Sequence, residues 1–169
     1  MNLPDSLESI KSLAFRWCES LEITTLPNGV KSIGDDAFYE CTQITTFTIP
    51  ENVEKIEGTP FRGCPITSID VDENNIYYDT KVNPKLPSNA PNNHCGAIIE
   101  TNTKKLVEGF ENTTSIPERV KIIGAKAFRS CYKKAILDLP EGLTTIENSA
   151  FSRCTSLITV NMFNNVTSI

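Results

Sequence analysis

The sequence predicts a β-rich solenoid: about six stacked coils of short parallel strands with little helix. Three observations predict it. A unit recurs every 23 residues with its key side chains in fixed phase. A strand-like run follows each unit's cysteine, and in the second unit it alternates polar and apolar residues, Thr46-Phe47-Thr48-Ile49. A proline opens each unit and punctuates the strand before it.

The repeat is read from five phenylalanines, Phe15, Phe38, Phe61, Phe128 and Phe151. Three residues after each comes a cysteine: Cys18, Cys41, Cys64, Cys131 and Cys154. Five residues before each comes an isoleucine: Ile10, Ile33, Ile56, Ile123 and Ile146. Leu7, Val30, Val53, Val120 and Leu143 precede those by three, and Pro4, Pro27, Pro50, Pro117 and Pro140 by three more. The unit is P-x-x-[VL]-x-x-I-x-x-x-[AP]-F-x-x-C followed by a strand-like run. Agreement of five residue classes in five copies excludes chance.

Each unit offers two strands. The first follows the cysteine, at Leu21–Leu26, Ile44–Ile49, Ile66–Val71, Ile136–Leu139 and Leu157–Met162, with the period of two of a half-buried strand. The second runs from the [VL] through the isoleucine, as in Val30-Lys31-Ser32-Ile33. The intervening proline lacks an amide donor, so it belongs at a coil corner. No unit can bury its apolar side unaided; stacking makes one continuous core. Phe38, Phe128, Ile33, Ile123, Cys41 and Cys131 are therefore expected inside.

Composition agrees with a folded chain. The 169 residues are 39% hydrophobic and 22% charged, within the globular range. A net charge of -5 argues against nucleic acid or an anionic membrane surface as partner, since both demand a basic patch. No apolar run is long enough to insert in a membrane. The start, Met1 to Ile10, has neither a basic leader nor an apolar segment, so no signal peptide is expected there.

The unit resembles the BspA-like family of leucine-rich-repeat proteins, whose pattern is I-P-x-x-V-x-x-I-x-x-x-A-F-x-x-C. Ile49-Pro50 through Cys64 and Ile116-Pro117 through Cys131 carry the match. The resemblance implies one right-handed leucine-rich-repeat solenoid domain over residues 1–169. It also implies a secreted or surface-attached protein that binds proteins of a host or a neighbouring cell. The chain departs from the pattern at Pro60, which replaces the alanine, at Asp72, which replaces a proline, and at Lys134, which stands in place of a leucine. Lys134 suggests a slight shift of the strand that follows it.

The repeat is interrupted at about 72–115: Asp72 to Pro117 spans 45 residues, about two units where one is due. Asn83 to Asn93 is rich in Pro and Asn and reads as loop. Gly96–Glu100 and Lys105–Glu108 flank the polar Thr101–Lys104, a hairpin. The insertion is either a degenerate coil that fills the stack or a protruding loop that touches a partner.

Little points to catalysis, and neither a cofactor nor a metal is expected. The ladder cysteines read as buried free thiols, because parallel side chains rarely reach disulfide geometry. Cys95 lies outside the ladder, next to His94, and is the one thiol expected to react quickly. The pair is no dyad, since consecutive side chains diverge. Zinc needs four ligands at close spacing. Asp35-Asp36, Asp70-Asp72-Glu73 and Glu51 read as solvated carboxylates on turns rather than a calcium site. Gly58 and Gly63 lack the lysine of a phosphate loop.

The expected activity is therefore non-enzymatic recognition of an unidentified protein ligand; a passive spacer is the alternative. The outward strand positions are Ile23 and Thr25, Thr46 and Thr48, Ser68 and Asp70, Ile136 and Asp138, Thr159 and Asn161. Of these, Thr46, Thr48, Ser68, Asp70, Asp138, Thr159 and Asn161 form the expected protein-binding face, polar and mildly acidic. The chain stops at Val166-Thr167-Ser168-Ile169, the opening of another unit. It is thus expected to be part of a longer protein, cut at a repeat boundary, or paired end to end.

Overall fold

Two of the three-residue spacings of the repeat, P-x-x-[VL] and F-x-x-C, are β-turns. In the computed structural model, which describes residues 3–85, 93–113 and 115–169, each opening proline accepts from the amide three residues on. Val30 donates to Pro27, Val53 to Pro50, Val120 to Pro117 and Leu143 to Pro140, at 2.9–3.3 Å. A second turn closes on the phenylalanine, whose carbonyl accepts from the cysteine amide in every unit. Proline suits the first corner because its fixed φ presets the turn and its missing donor goes unused.

Twelve short strands and no helix occur among the described residues. In chain order they are β1 Ser9–Ile10, β2 Ser32–Ile33, β3 Thr46–Ile49, β4 Lys55–Ile56, β5 Ser68–Val71 and β6 Tyr78–Lys81. Then come β7 His94–Glu100, β8 Lys105–Gly109, β9 Ile122–Ile123, β10 Ile136–Asp138, β11 Thr145–Ile146 and β12 Thr159–Asn161. Two parallel ladders run along the stack. One pairs β3 with β5 and β10 with β12; the other pairs β1, β2 and β4, then β8, β9 and β11. Thr145 also bridges Ser168, so the chain's last residues begin a further coil in register.

The turns around each phenylalanine stack as a third column. Phe15 donates to the Ala37 carbonyl, Phe38 to that of Pro60 and Phe128 to that of Ala150, each at 2.8 Å. The rings follow suit, with stacked centroids 5.3 Å apart for Phe15–Phe38 and Phe38–Phe61 and 5.7 Å for Phe128–Phe151. The thiols join the column too: Cys41 Sγ donates to Phe15 O, Cys64 to Phe38 O and Cys154 to Phe128 O, at 2.9–3.0 Å. Phe and Cys thus recur three apart because a buried S–H needs the phenylalanine carbonyl of the coil before it. Phe38, Phe128, Ile33, Ile123, Cys41 and Cys131 are all buried, as expected.

The interruption is a wall across the stack. Residues β7 and β8 form the expected hairpin around Thr101–Lys104, and β6, which the sequence did not reveal, pairs antiparallel with β7. Successive side chains of the hairpin enter different cores. Ile98 and Val107 pack with the coils before it, while Ala97, Ile99 and Leu106 pack with the coils after it. A strand buried on both faces reads as a continuous apolar run, which Ala97-Ile98-Ile99 is. At the edge facing β4, the Tyr78 hydroxyl accepts from the Ile56 amide at 2.8 Å, and Asn75 Nδ2 donates to the carbonyls of Pro50 and Val53.

Three expectations are corrected. Residues 21–26 form no strand: their backbone meets the next coil only around Thr48, which bridges Thr25 and donates its amide to Thr24 O at 2.8 Å. The strand after Lys134 is unshifted, since Ile136 lies eight residues after Phe128 as Thr46 does after Phe38. Lys134 fits the leucine position by donating from Nζ to Thr113 O at 2.7 Å. Asp35 and Asp36 are not freely solvated: Asp36 pairs with Arg62 at 2.7 Å and Asp35 with Lys126 at 2.6 Å. Of the Asn83 to Asn93 loop, 86–92 lie outside the described residues; Asn83 to Lys85 form a bend and turn, and Asn93 is buried.

Candidate protein-binding surfaces

The strand face is built from side chains at alternate positions. On β3 and β5, Phe47, Ile49, Ile69 and Val71 point into the core, so Thr46, Thr48, Ser68 and Asp70 point away. Register pairs Thr46 with Ser68 and Thr48 with Asp70. On β10 and β12, Ile136 pairs with Thr159 and Asp138 with Asn161, and all four are exposed. The structure therefore places every predicted face residue outward, in two two-stranded patches instead of one continuous row. Asn112 lies at the junction, its Nδ2 donating to Thr67 O at 2.7 Å.

Both acidic residues of the face already have partners. Asp70 Oδ1 lies 3.0 Å from His94 Nδ1, which also lies 3.0 Å from Thr80 Oγ1. Asp138 Oδ1 accepts from Asn161 Nδ2 at 2.6 Å. Sequence reasoning missed His94 as a face residue, because its contact with Asp70 depends on β6 and β7 folding back beside β5.

His94 and Cys95 point to opposite sides of β7. The Cys95 side chain is fully buried, and burial pushes its thiol up to about 11. The expectation of a fast-reacting Cys95 is thus overturned: its side of β7 packs into the core of the later coils, so the residue cannot meet solvent. Burial also raises the Cys41, Cys64, Cys131 and Cys154 thiols, whereas Cys18, in the first coil, is exposed. All six cysteines are free. Titration of denatured, unreduced protein should count close to six thiols, and in the native state Cys18 should be modified first. Rapid native modification of Cys95 would contradict the position of β7.

A second concave feature lies on the turn column, where the wall lacks the A-F-x-x-C turn of a full coil. A cleft of about 290 Å³ opens there between the turns at Thr59–Pro65 and Lys126–Lys133, over Glu108–Glu111. The Phe61 amide, which in other coils would meet the next coil's carbonyl, donates to Glu108 Oε2 at 3.2 Å. Burial favours the protonated form of Glu108, and the nearby Asp36 and Asp35 add to that. Burial works against ionisation of Asp35, but the Lys126 ammonium and the Thr59 amide outweigh it, and its carboxyl is held below the usual range. The Arg62 guanidinium stacks 3.8 Å from the Tyr39 ring centroid. Among the described residues no cluster of His, Cys, Asp and Glu could hold a metal ion.

Stacked coils of parallel strands, turn columns and an inward Phe–Cys ladder define a leucine-rich-repeat solenoid. The BspA-type leucine-rich-repeat region matches in 6 copies over residues 1–83 and 105–169, and the chain belongs to that family. The pneumococcal vaccine antigen PcpA has a similar fold, with a TM-score of 0.67 at 21% identity over 95% of this chain and 44% of that one. A leucine-rich-repeat protein of T. pallidum is similar at a TM-score of 0.50 and 23% identity, over 94% of this chain and 63% of that one. The chain thus spans less than two thirds of either structure's length. No curated protein matches.

Proposed function

We propose that this chain is a non-enzymatic recognition module of a secreted or surface-exposed protein, and that a protein partner rests on its strand face. The observation that carries this is the registered pairing of outward side chains in two patches, one on β3 and β5 and one on β10 and β12. Backbone ladders hold Thr46, Thr48, Ser68, Asp70, Asp138, Thr159 and Asn161 in place before binding, so little ordering cost is added on association. The face is largely polar, which suits a broad protein contact better than a small apolar ligand. Its carboxylates favour a neutral to basic partner and an association that slows as salt rises. Placement at a cell surface rests on the family resemblance, and one structural neighbour is itself described as a vaccine antigen.

The test is the double substitution Asp70→Lys with Asp138→Lys. Both sites are on the surface, so unfolding should shift by only about ±0.5 kcal/mol per site. Affinity for a partner isolated with the full-length protein should fall, and its salt dependence should weaken. Unchanged affinity would remove the strand face as the site. A full-length protein that binds no partner would leave a spacer.

A further inference from the structure

The turn-column cleft carries an inference independent of the strand face. Elsewhere in the column, amides at alternate positions pair with carbonyls of the next coil: Phe15 with Ala37 and Trp17 with Tyr39, then Phe128 with Ala150 and Ser130 with Ser152. Across the wall only part of this pairing is replaced. Glu108 takes the Phe61 amide, and Gly109 donates to Ala127 O at 2.8 Å. The next pair along, the Gly63 amide on one lip and the Arg129 carbonyl on the other, meets no partner among the described residues. One lip thus offers a backbone donor and the other a backbone acceptor.

Three side-chain atoms of the cleft are also buried without a hydrogen-bond partner: Thr59 Oγ1, Arg129 Nε and Ser130 Oγ. Thr59 is only 1% exposed. Buried polar atoms are nearly always paired in folded proteins, so three unpaired ones along these lips show that the turn column is incomplete here. The charges select the ligand. Arg62 and Lys126 are matched by Asp36 and Asp35, while among the described residues no carboxylate lies within ion-pair distance of Arg129 or Lys133. The carboxylates at the cleft are Glu40 and Glu111, with Glu111 accepting from the Lys133 amide at 3.0 Å, and Glu108, whose burial favours the neutral acid. The volume is at the small end of ligand pockets, which begin at roughly 300 Å³.

We propose that this cleft binds a short acidic peptide segment of a partner protein. Its backbone carbonyl accepts from the Gly63 amide, its amide donates to the Arg129 carbonyl, and its carboxylate pairs with the side-chain cations of Arg129 and Lys133. The segment thereby supplies the turn that the interrupted coil lacks. A peptide is favoured over a simple anion because the lips present a donor and an acceptor in the positions where coils elsewhere meet a neighbouring backbone.

The test is titration of the ¹⁵N-labelled chain with the blocked tripeptide acetyl-Gly-Glu-Gly-amide, followed by amide chemical shifts. Saturable shifts are expected at Gly63, Arg129 and Ser130. The Gln analogue should bind about tenfold more weakly or worse, the effect of losing a charge-assisted hydrogen bond. Arg129→Gln should weaken the Glu peptide to a similar degree, with its fold checked by an unchanged melting curve. If that variant unfolds, Lys133→Gln serves in its place. Asp70→Lys with Asp138→Lys should leave this titration unaltered, which separates it from the strand-face reading. Equal binding of the Gln peptide, equal shifts with acetate alone, or no saturable shift at millimolar peptide would each overturn the proposal.

Discussion

Replacing Phe128 by alanine should lower the unfolding free energy by about 3–5 kcal/mol, the range for truncating a large core aromatic. The ring is 1% exposed and stacks on Phe151, so its loss opens a cavity at the first full coil after the wall. The neighbours are held by ladder bonds from Lys126, Phe128 and Ser130 to the next coil and have little freedom to collapse into the space. Urea denaturation followed by circular dichroism measures the change. A loss below about 1 kcal/mol would mean that the ring does not occupy a packed core.

Gly109→Ala should be destabilising for the opposite reason. A Cβ at this position would lie 2.1 Å from Phe128 Cε1 and 2.5 Å from Cζ, far inside van der Waals contact. The backbone cannot move away easily, because the Gly109 amide is bonded to Ala127 O. Overpacking of this kind costs about 1–3 kcal/mol, and a rigid aromatic partner puts it at the upper end. The two substitutions must couple. With Phe128→Ala in place the added methyl enters space the ring has left, so the double variant should lose much less than the sum. Additive losses would show that the glycine and the ring are not in contact.

The regular coils were legible in the sequence because each phase of the repeat has one physical job. Proline opens a turn, the isoleucine enters the core, and the cysteine reaches the phenylalanine carbonyl of the coil before. The outward strand positions followed from the same period of two. What was not legible arises where the repeat stops. β6 has the polar sequence Tyr78-Asp79-Thr80-Lys81 and becomes a strand only because β7 lies beside it. His94 reaches Asp70 by the same tertiary placement. The turn-column cleft is created by an absent turn, and the one sign of it was that residues 72–115 lack an A-F-x-x-C. The Asp35–Lys126 pair, 91 residues apart, forms because the missing turn lets the later coil's lysine reach past the wall.

The wall also poses a question of alignment that the regular coils do not. In a half-buried strand, sliding by one residue would throw its apolar side chains into water, and this penalty fixes the register. In β7 a slide would exchange Ile98 with Ile99 between two oily interiors, and water would exact no such penalty. Alignment there must come from shape. Gly96, at a φ of 68° that side chains disfavour, passes close to the backbone at Asn112 and Thr113, where an added Cβ would lie 3.1 Å from Asn112 O. The ladder between β7 and β8 slips between Ile98 and Ile99, and that local offset sets which isoleucine faces which side. Here steric fit takes over from hydrophobic patterning as the code that tells the chain where to stop.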